Sequence, residues 1–450
     1  MSLIATDQLR IIIGLGQTGL SCARYLAAKG LPFMLVDTRN APPNLALIKE
    51  EFAAVEVHCG ELDATLLCRA SEILLSPGVA KDQPAIQAAV AAGVKLSGDI
   101  DLFCQAVTAP IIAITGSNAK STVTTLVGQM ARDAGIDTGI GGNLGTPVLD
   151  MLSVGEQALY VLELSSFQLE TVNDLRAAAA TVLNVSPDHL DRYHNSLALY
   201  YQAKHRVFKG AANVIVNRDD PLTSPLVSSG VNIRSFGLGR PDLNQFGLLN
   251  QAGEVFLARG LTPLLAISEL KIQGQHNLAN ALAALALGEA VGLPLDSMLQ
   301  TLRDFTGLKH RCQWVADKQG VHYFNDSKGT NVGATVAAIN GLSASLAEGN
   351  KIVLIAGGVG KGADFSDLDQ PLRAASRGLV LIGEDAPLIA AAVTDVEAHY
   401  ADSMSAAVQR AAQLARPGDI VLLSPACASF DMFSGFPARG DAFIEAVEGL

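Results

Sequence analysis

One loop in this chain carries residues whose types and spacing could do chemistry. In Ile-Ala-Ile-Thr115-Gly116-Ser117-Asn118-Ala119-Lys120-Ser121-Thr122, a β-branched run passes through small residues into a helical pattern. Such a loop can surround phosphate with backbone N–H groups at a helix N-terminus. Lys120 would add a point charge at the β- and γ-phosphates, and the Ser121 hydroxyl could reach Mg²⁺. Gly116 stands four residues before Lys120, short of the G-x-x-x-x-G-K-[ST] spacing, so this is a shortened phosphate loop. Its plain alternative is a helix start with no ligand.

A second glycine loop lies nearer the start. Ile-Ile-Ile-Gly14-Leu-Gly16-Gln17-Thr18-Gly19 is a complete G-x-G-x-x-G, and Asp37 ends the next apolar run, Phe-Met-Leu-Val-Asp. Alone it reads as an NAD fingerprint. The physics is broader, because small residues admit any pyrophosphate to a helix N-terminus and a carboxylate at the second strand end accepts a ribose hydroxyl or an N–H. A nicotinamide or flavin cofactor, another nucleotide and a purely structural turn all stay open.

Other candidates are single residues. Glu163 ends the run Tyr-Val-Leu-Glu-Leu, where open α/β sheets direct side chains into a crevice, or it caps the next helix. His189 sits in the polar loop Pro-Asp-His-Leu-Asp-Arg, and spacing alone makes Lys204 an ordinary helix-surface charge. Asn277 and Asn280 lie one helical turn apart. Arg311, beside His310, has a planar fork suited to phosphate, and Asp326 and Lys328 follow the run Val-His-Tyr-Phe-Asn. Lys361 is flanked by Gly360 and Gly362, as an exposed cation on a flexible loop would be.

The elements that must position these groups alternate. Short β-branched runs at 11–13, 73–75, 111–115, 161–164, 182–185, 214–216, 352–356, 380–382 and 421–423 each lead into a turn and a helical pattern. Helical periodicity is clear over 18–29, 120–133 and 278–291. The alternation predicts βαβ units with parallel sheets, an α/β protein. Gly93–Ala109 reads as irregular and Asp304–Arg311 as a linker, which divides the chain into domains 1–98, 99–307 and 308–450. Pro241–Lys271 reads as inserted β-hairpins.

Composition agrees with this class. Of 450 residues, 49% are hydrophobic and 17% charged, below the usual quarter or so, as suits strands buried on both faces. The net charge of −12 and the lack of a basic stripe argue against nucleic acid, so an anionic ligand must be held locally. No secretory signal or long apolar run is visible, which predicts a cytoplasmic protein with no membrane partner. Six scattered cysteines without CxxC spacing predict reduced thiols and no sulfur-held metal.

Taken in order, Thr115-Gly-Ser-Asn-x-Lys120-Ser-Thr, Gly-Gly-Asn143-Leu-Gly-Thr-Pro, Glu163-Leu-Ser-Ser-Phe-Gln-Leu-Glu170, Asn184-Val-Ser-Pro-Asp188-His189-Leu-Asp-Arg192-Tyr, Gly-Gln-His-Asn277 and Asn325-Asp-Ser-Lys328-Gly-Thr330-Asn331 resemble the Mur ligase family across essentially the whole chain. The resemblance implies three domains: a Rossmann-like N-terminal domain, a central P-loop ATPase-like domain with a parallel sheet, and a Rossmann-like C-terminal domain. It implies an ATP-dependent amide ligase that adds D-glutamate to UDP-N-acetylmuramoyl-L-alanine through an acyl phosphate, working as a cytoplasmic monomer.

The same resemblance assigns the residues. Gly116, Ser117, Asn118, Ala119, Lys120, Ser121, Thr122, Asn277, Asn280, His310, Arg311, Asp326 and Lys328 would bind ATP. Two Mg²⁺ ions would be held by Ser121, Glu163, His189 and Lys204, the last carrying a CO₂-derived carbamate. Lys120, Glu163, His189 and Lys204 would thus be catalytic. Gln17, Thr18, Asp37, Thr38, Arg39, Ser76, Pro77, Gly78, Asn143 and His189 would bind the UDP-linked substrate. Thr330, Lys361, Ser429, Phe430 and Phe436 would hold D-glutamate. Two residues depart from the family pattern: Ala119 stands where Gly is usual, its methyl tolerated easily only at negative φ, and Val359 stands where Asp is expected.

Other readings remain at this point. Another amino-acid-adding family member or a folylpolyglutamate-type ligase would use the same fold. A nicotinamide-dependent oxidoreductase would leave Lys120, Glu163 and Lys204 without a use. A nucleotide-regulated binding module would tolerate loss of Glu163 or His189.

Overall fold

The computed structural model describes residues 9–226, 230–272, 274–344 and 346–450. Three sheets follow one another along the chain. The first is all parallel: Arg10–Ile13, Phe33–Asp37, Val57–Cys59, Glu72–Leu75 and Lys95–Ser97 stand in the spatial order third, second, first, fourth, fifth. The order reverses between the first and fourth strands. The Gly14 loop and Ser76 therefore meet at the carboxyl ends of that pair, where such sheets place ligands.

Two glycines in this loop are required by packing. A Cβ on Gly14, whose φ is +98°, would sit 2.7 Å from the Ser76 Cβ, and one on Gly19 would sit 1.9 Å from the Gly14 carbonyl oxygen. The Ser76 hydroxyl donates to that same carbonyl at 2.8 Å. Close packing alone thus uses part of the G-x-G-x-x-G pattern.

Nine strands form the second sheet. Thr138–Gly142, Leu159–Glu163, Ile111–Thr115, Ala179–Val182, Asn213–Asn217, Asn232–Phe236 and Gln245–Gln251 run parallel from one edge, and Glu254–Arg259 and Thr262–Ala266 complete it antiparallel. The last three are the expected hairpins. In the third sheet Val321–Asn325, Ile420–Leu423, Ile352–Gly357, Ser376–Ile382 and Ala398–Tyr400 are parallel, with Gln313–Lys318 antiparallel at the edge.

Two expectations change here. Gly93–Ala109 is not irregular: it holds the strand Lys95–Ser97 and the helix Asp99–Ala106. That helix is buried over its first six residues, so it lacks the one-sided alternation that marks a surface helix. Its Phe103 meets Tyr160 edge to face, and one apolar core runs from Leu15, Leu20 and Leu26 through Phe103 to Ala113 and Leu162. The first two sheets are joined by a shared core, whereas the third packs its own. The run at 182–185 is also not a strand. The ladder covers Ala179–Val182, and Leu183–Ser186 leaves it to meet the phosphate loop.

Candidate functional site

The helix Lys120–Asp133 starts at Ala119, and no side chain caps it. Its first amides precede any acceptor within the helix and are left for a ligand. Before them, the loop is held by its neighbours. The Ser117 and Asn118 amides donate to the carbonyl and side-chain oxygens of Asn184 at 2.9 and 2.8 Å, so these two are occupied from within the protein. The Ser186 amide donates to the Ser117 hydroxyl, which also meets the Tyr200 hydroxyl at 3.1 Å.

Lys120 Nζ donates to the Gly116 and Ser117 carbonyl oxygens at 2.8 and 2.9 Å. Lys204 Nζ donates to the same Gly116 oxygen at 2.7 Å. Spacing made Lys204 a surface charge, but the structure buries it to 1% exposure with its nitrogen 4.4 Å from the centre of the Tyr200 ring. Burial, and then repulsion from Lys120, pushes its pKa well below the ordinary lysine value.

Glu163 is buried at the end of its strand. One carboxylate oxygen accepts from Asn143 Nδ2 at 2.7 Å; the other is buried with no hydrogen-bond partner among the described residues. An anionic oxygen in that state fits a cation. No three His, Cys, Asp or Glu side chains converge among the described residues, so a Mg²⁺ here would have few protein ligands, as suits an ion that shares phosphates and water. His189 stands apart from Glu163's hydrogen bonds, its ring edge-on to Phe167 and its Nε2 3.6 Å from Asp188.

Three loops of the third sheet close over this centre. Arg311 donates to the Ser121 hydroxyl at 2.8 Å. Asn331 Nδ2 lies 3.2 Å from both the Asn118 and the Asp188 side-chain oxygens, and Lys361 Nζ lies 3.3 Å from Asp188. Burial raises the Asp188 carboxyl, but His189, Lys361 and Lys120 outweigh it and hold the group below its usual range.

A cavity of about 350 Å³ lies between the second and third domains. It is lined by Asn118, Ala119, Thr122, Asn277, Asn280, Arg311, Asp326 and Lys328. Asn280 donates to Asn277 at 3.2 Å. Burial pushes Asp326 up to about 6, and burial with Arg311 and Lys120 nearby brings Lys328 down to about 8. Gly116, Ser117, Lys120 and Ser121 do not line it. His310 is not part of it: the ring is buried at 3.0 Å from Asn325 Nδ2, pinning the strand end. A larger cleft of about 1070 Å³ continues past Arg311 toward Trp314.

A separate cavity of about 480 Å³ collects Gln17, Thr18, Asp37, Thr38, Arg39, Ser76, Pro77, Gly78 and Asn143. His189 lies outside it. Asp37 takes the N–H option: its oxygens accept from the Leu15 amide at 2.6 Å and from the Arg39 guanidinium at 2.7 and 2.8 Å. Burial raises this carboxyl, yet those donors bring it below its ordinary value.

The loops bearing Thr330, Lys361 and Ser429 adjoin one another. Val359 and Ala428 exchange backbone hydrogen bonds, and the Ala426 amide donates to the Gly329 carbonyl. Val359 therefore contributes its backbone, and Lys361 stays in register. Phe430 does not join this group, being 76% exposed. Phe436 is drawn instead to Lys328, whose Nζ lies 4.1 Å from its ring centre, and to His310.

Several participants had no sequence assignment. Asp188 and Asn331 stood in quoted motifs without a role, although Asn331 before an apolar helical run reads as an N-cap, and it accepts from the Ala334 amide. Asn184, Ser186 and Tyr200 support the phosphate loop through contacts 66 to 83 residues distant in sequence, which no local pattern reveals.

The three-domain fold is shared with known proteins. Residues 8–98 match the Mur ligase MurD-like N-terminal domain, 114–288 the Mur ligase middle domain and 310–427 the Mur ligase glutamate ligase domain. The chain belongs to the Mur ligase family. It is 57% identical, over the full length of both chains, to proteins of Pseudomonas syringae pv. tomato and Pseudomonas aeruginosa named UDP-N-acetylmuramoylalanine--D-glutamate ligase, and 51% identical to one of Acinetobacter baylyi. Among solved structures, the MurF ligase of Thermotoga maritima is 14% identical with a TM-score of 0.60, covering 100% of this chain and 99% of that one, which shows the shared fold.

One local strain is testable. Ala119 has φ +66°, the left-handed region that costs a non-glycine residue roughly 1–2 kcal/mol. The negative φ that would accommodate its methyl is not adopted. Because glycine also loosens the unfolded chain by about 0.4–1 kcal/mol, Ala119→Gly should stabilise the protein by a net of about 0.5–1 kcal/mol in denaturant titration. A loss of stability would contradict the strain.

Proposed function

We propose that this protein is an ATP-dependent ligase that forms an amide between the carboxylate of UDP-N-acetylmuramoyl-L-alanine and the amine of D-glutamate, in cytoplasmic synthesis of peptidoglycan precursor. Full-length identity of 57% to ligases so named is the observation that carries this reading. The cavity around Gln17 and Arg39 suits the UDP end of the acceptor, the cavity at Asn277 and Asn280 suits ATP, and the loops of Thr330, Lys361 and Ser429 suit a dicarboxylate.

The chain's part in the chemistry is placement and charge. The uncapped helix start, Lys120, Arg311 and Lys328 hold the phosphates. A carboxylate oxygen of the acceptor attacks the γ-phosphorus and ADP leaves. The D-glutamate amine then attacks the acyl carbon, loses a proton and expels phosphate. Lys361 and Ser429 orient the amino acid, and the Asn331 and Arg311 contacts close the cleft against water.

Ser121 and Glu163 would hold one Mg²⁺; His189 and a carbamate on Lys204 would hold a second. Bound there, Mg²⁺ would neutralise the phosphate oxygens. The buried, low-pKa Lys204 nitrogen supports the carbamate, since CO₂ adds to an amine and not to an ammonium group.

Phosphate release should require ATP, Mg²⁺, UDP-N-acetylmuramoyl-L-alanine and D-glutamate together. Lys120→Ala should lower kcat by about 10²-fold or more. Equal turnover with L-glutamate, meso-diaminopimelate or L-alanine would overturn the substrate assignment, and an active Lys120→Ala enzyme would overturn the loop's role.

Protein equilibrated with ¹³C-bicarbonate should show one carbamate carbon resonance that Lys204→Met abolishes. A fully active enzyme lacking that resonance would refute the modification.

A further inference from the structure

Arg192 touches one residue that lines the UDP-side cavity, Val79, and Phe167, the chain neighbour of a second, Gln168. It stands in the turn Leu190–Tyr193, its side chain 15% exposed. Its Nη2 donates at 3.0 Å to the Val79 carbonyl and at 3.0 Å to Glu170, and its guanidinium lies 4.9 Å from the centre of the Phe167 ring. Val79 lies in the loop between the strand Glu72–Leu75 of the first sheet and the helix Pro84–Ala91. Phe167 lies on the short helix Ser166–Leu169 of the second domain. Val79 and Gln168, one wall residue from each, line the 480 Å³ cavity, and Arg192 does not.

We infer that Arg192 is a positioning residue for the nucleotide end of the acceptor. It fixes the gap between the loop 76–79 and the helix 166–169, and with it the width of the cavity that the uridine diphosphate enters. A lysine would keep the charge facing Glu170 but not the flat guanidinium that lies against the Phe167 ring while one of its nitrogens meets carbonyl and carboxylate. The inference rests on the acceptor proposed above.

Arg192→Met alone leaves the 4%-exposed Glu170 carboxylate unpaired and can unfold the turn for that reason. The informative variants are therefore Arg192→Lys and the double variant Arg192→Met with Glu170→Gln. Each should raise KM for UDP-N-acetylmuramoyl-L-alanine about tenfold, the effect of one lost positioning bond. KM for ATP, for D-glutamate and for N-acetylmuramoyl-L-alanine 1-phosphate, which lacks the uridine, should stay within about twofold, so the preference for the uridine-bearing acceptor collapses. Equal losses on both acceptors, or an unchanged KM for the full one, would overturn the inference. UDP alone, titrated calorimetrically, separates this from the assignment of the reaction: about tenfold weaker binding in both variants sustains the role of Arg192 even without turnover, and unchanged binding overturns it.

Discussion

Two lysine side chains bond to one carbonyl oxygen, that of Gly116, and much of the centre depends on this crowding. Lys120 reaches it from the next turn of the phosphate loop, and Lys204 from a helix 88 residues away in sequence. Both nitrogens lie within 2.8 Å of that oxygen, and like charges held so close repel by several kcal/mol, roughly 3 for any two unit charges about 5 Å apart at an effective dielectric near 20. Added to burial, which is the larger cause, this repulsion favours a neutral amine at Lys204. Glu163, with one oxygen lacking a hydrogen-bond partner among the described residues, and Asp188, tied to Lys361, supply the local negative charge. The centre is thus poised for ligands that bring their own anions.

The constraint explains how an acidic chain with no basic stripe can serve two highly charged substrates. Its net charge of −12 belongs to the whole chain, whereas Lys120, Lys204, Arg311 and Lys328 are each near enough to Glu163 to feel its charge. Backbone amides at the helix start add to this without changing net charge. The third sheet contributes through side chains that cross the cleft, Arg311 to Ser121 and Asn331 to Asn118 and Asp188.

Much of this was legible in the sequence because the signals were local. The phosphate loop lies between a strand and a helix whose bounds, Lys120–Asp133, match the predicted ones, and the residues assigned to the UDP end line one cavity apart from His189. Misreadings had a common cause. Gly93–Ala109 holds a helix buried over most of its length, so no polar face announced it. Lys204 was a surface charge by spacing, since nothing in its own helix reveals that Tyr200 and Gly116 enclose it. The contacts of His310 with Asn325 and of Phe436 with Lys328 were equally beyond what local spacing shows. Each was decided by a partner far along the chain.

The central claim is that the groups gathered around Gly116 bring the acceptor carboxylate to the γ-phosphate of ATP. It is tested most directly by following oxygen. UDP-N-acetylmuramoyl-L-alanine labelled with ¹⁸O in its free carboxylate should yield, with ATP and D-glutamate, inorganic phosphate carrying one labelled oxygen per turnover, as acyl phosphate breakdown requires. Product formed with all ¹⁸O absent from the phosphate would contradict the account.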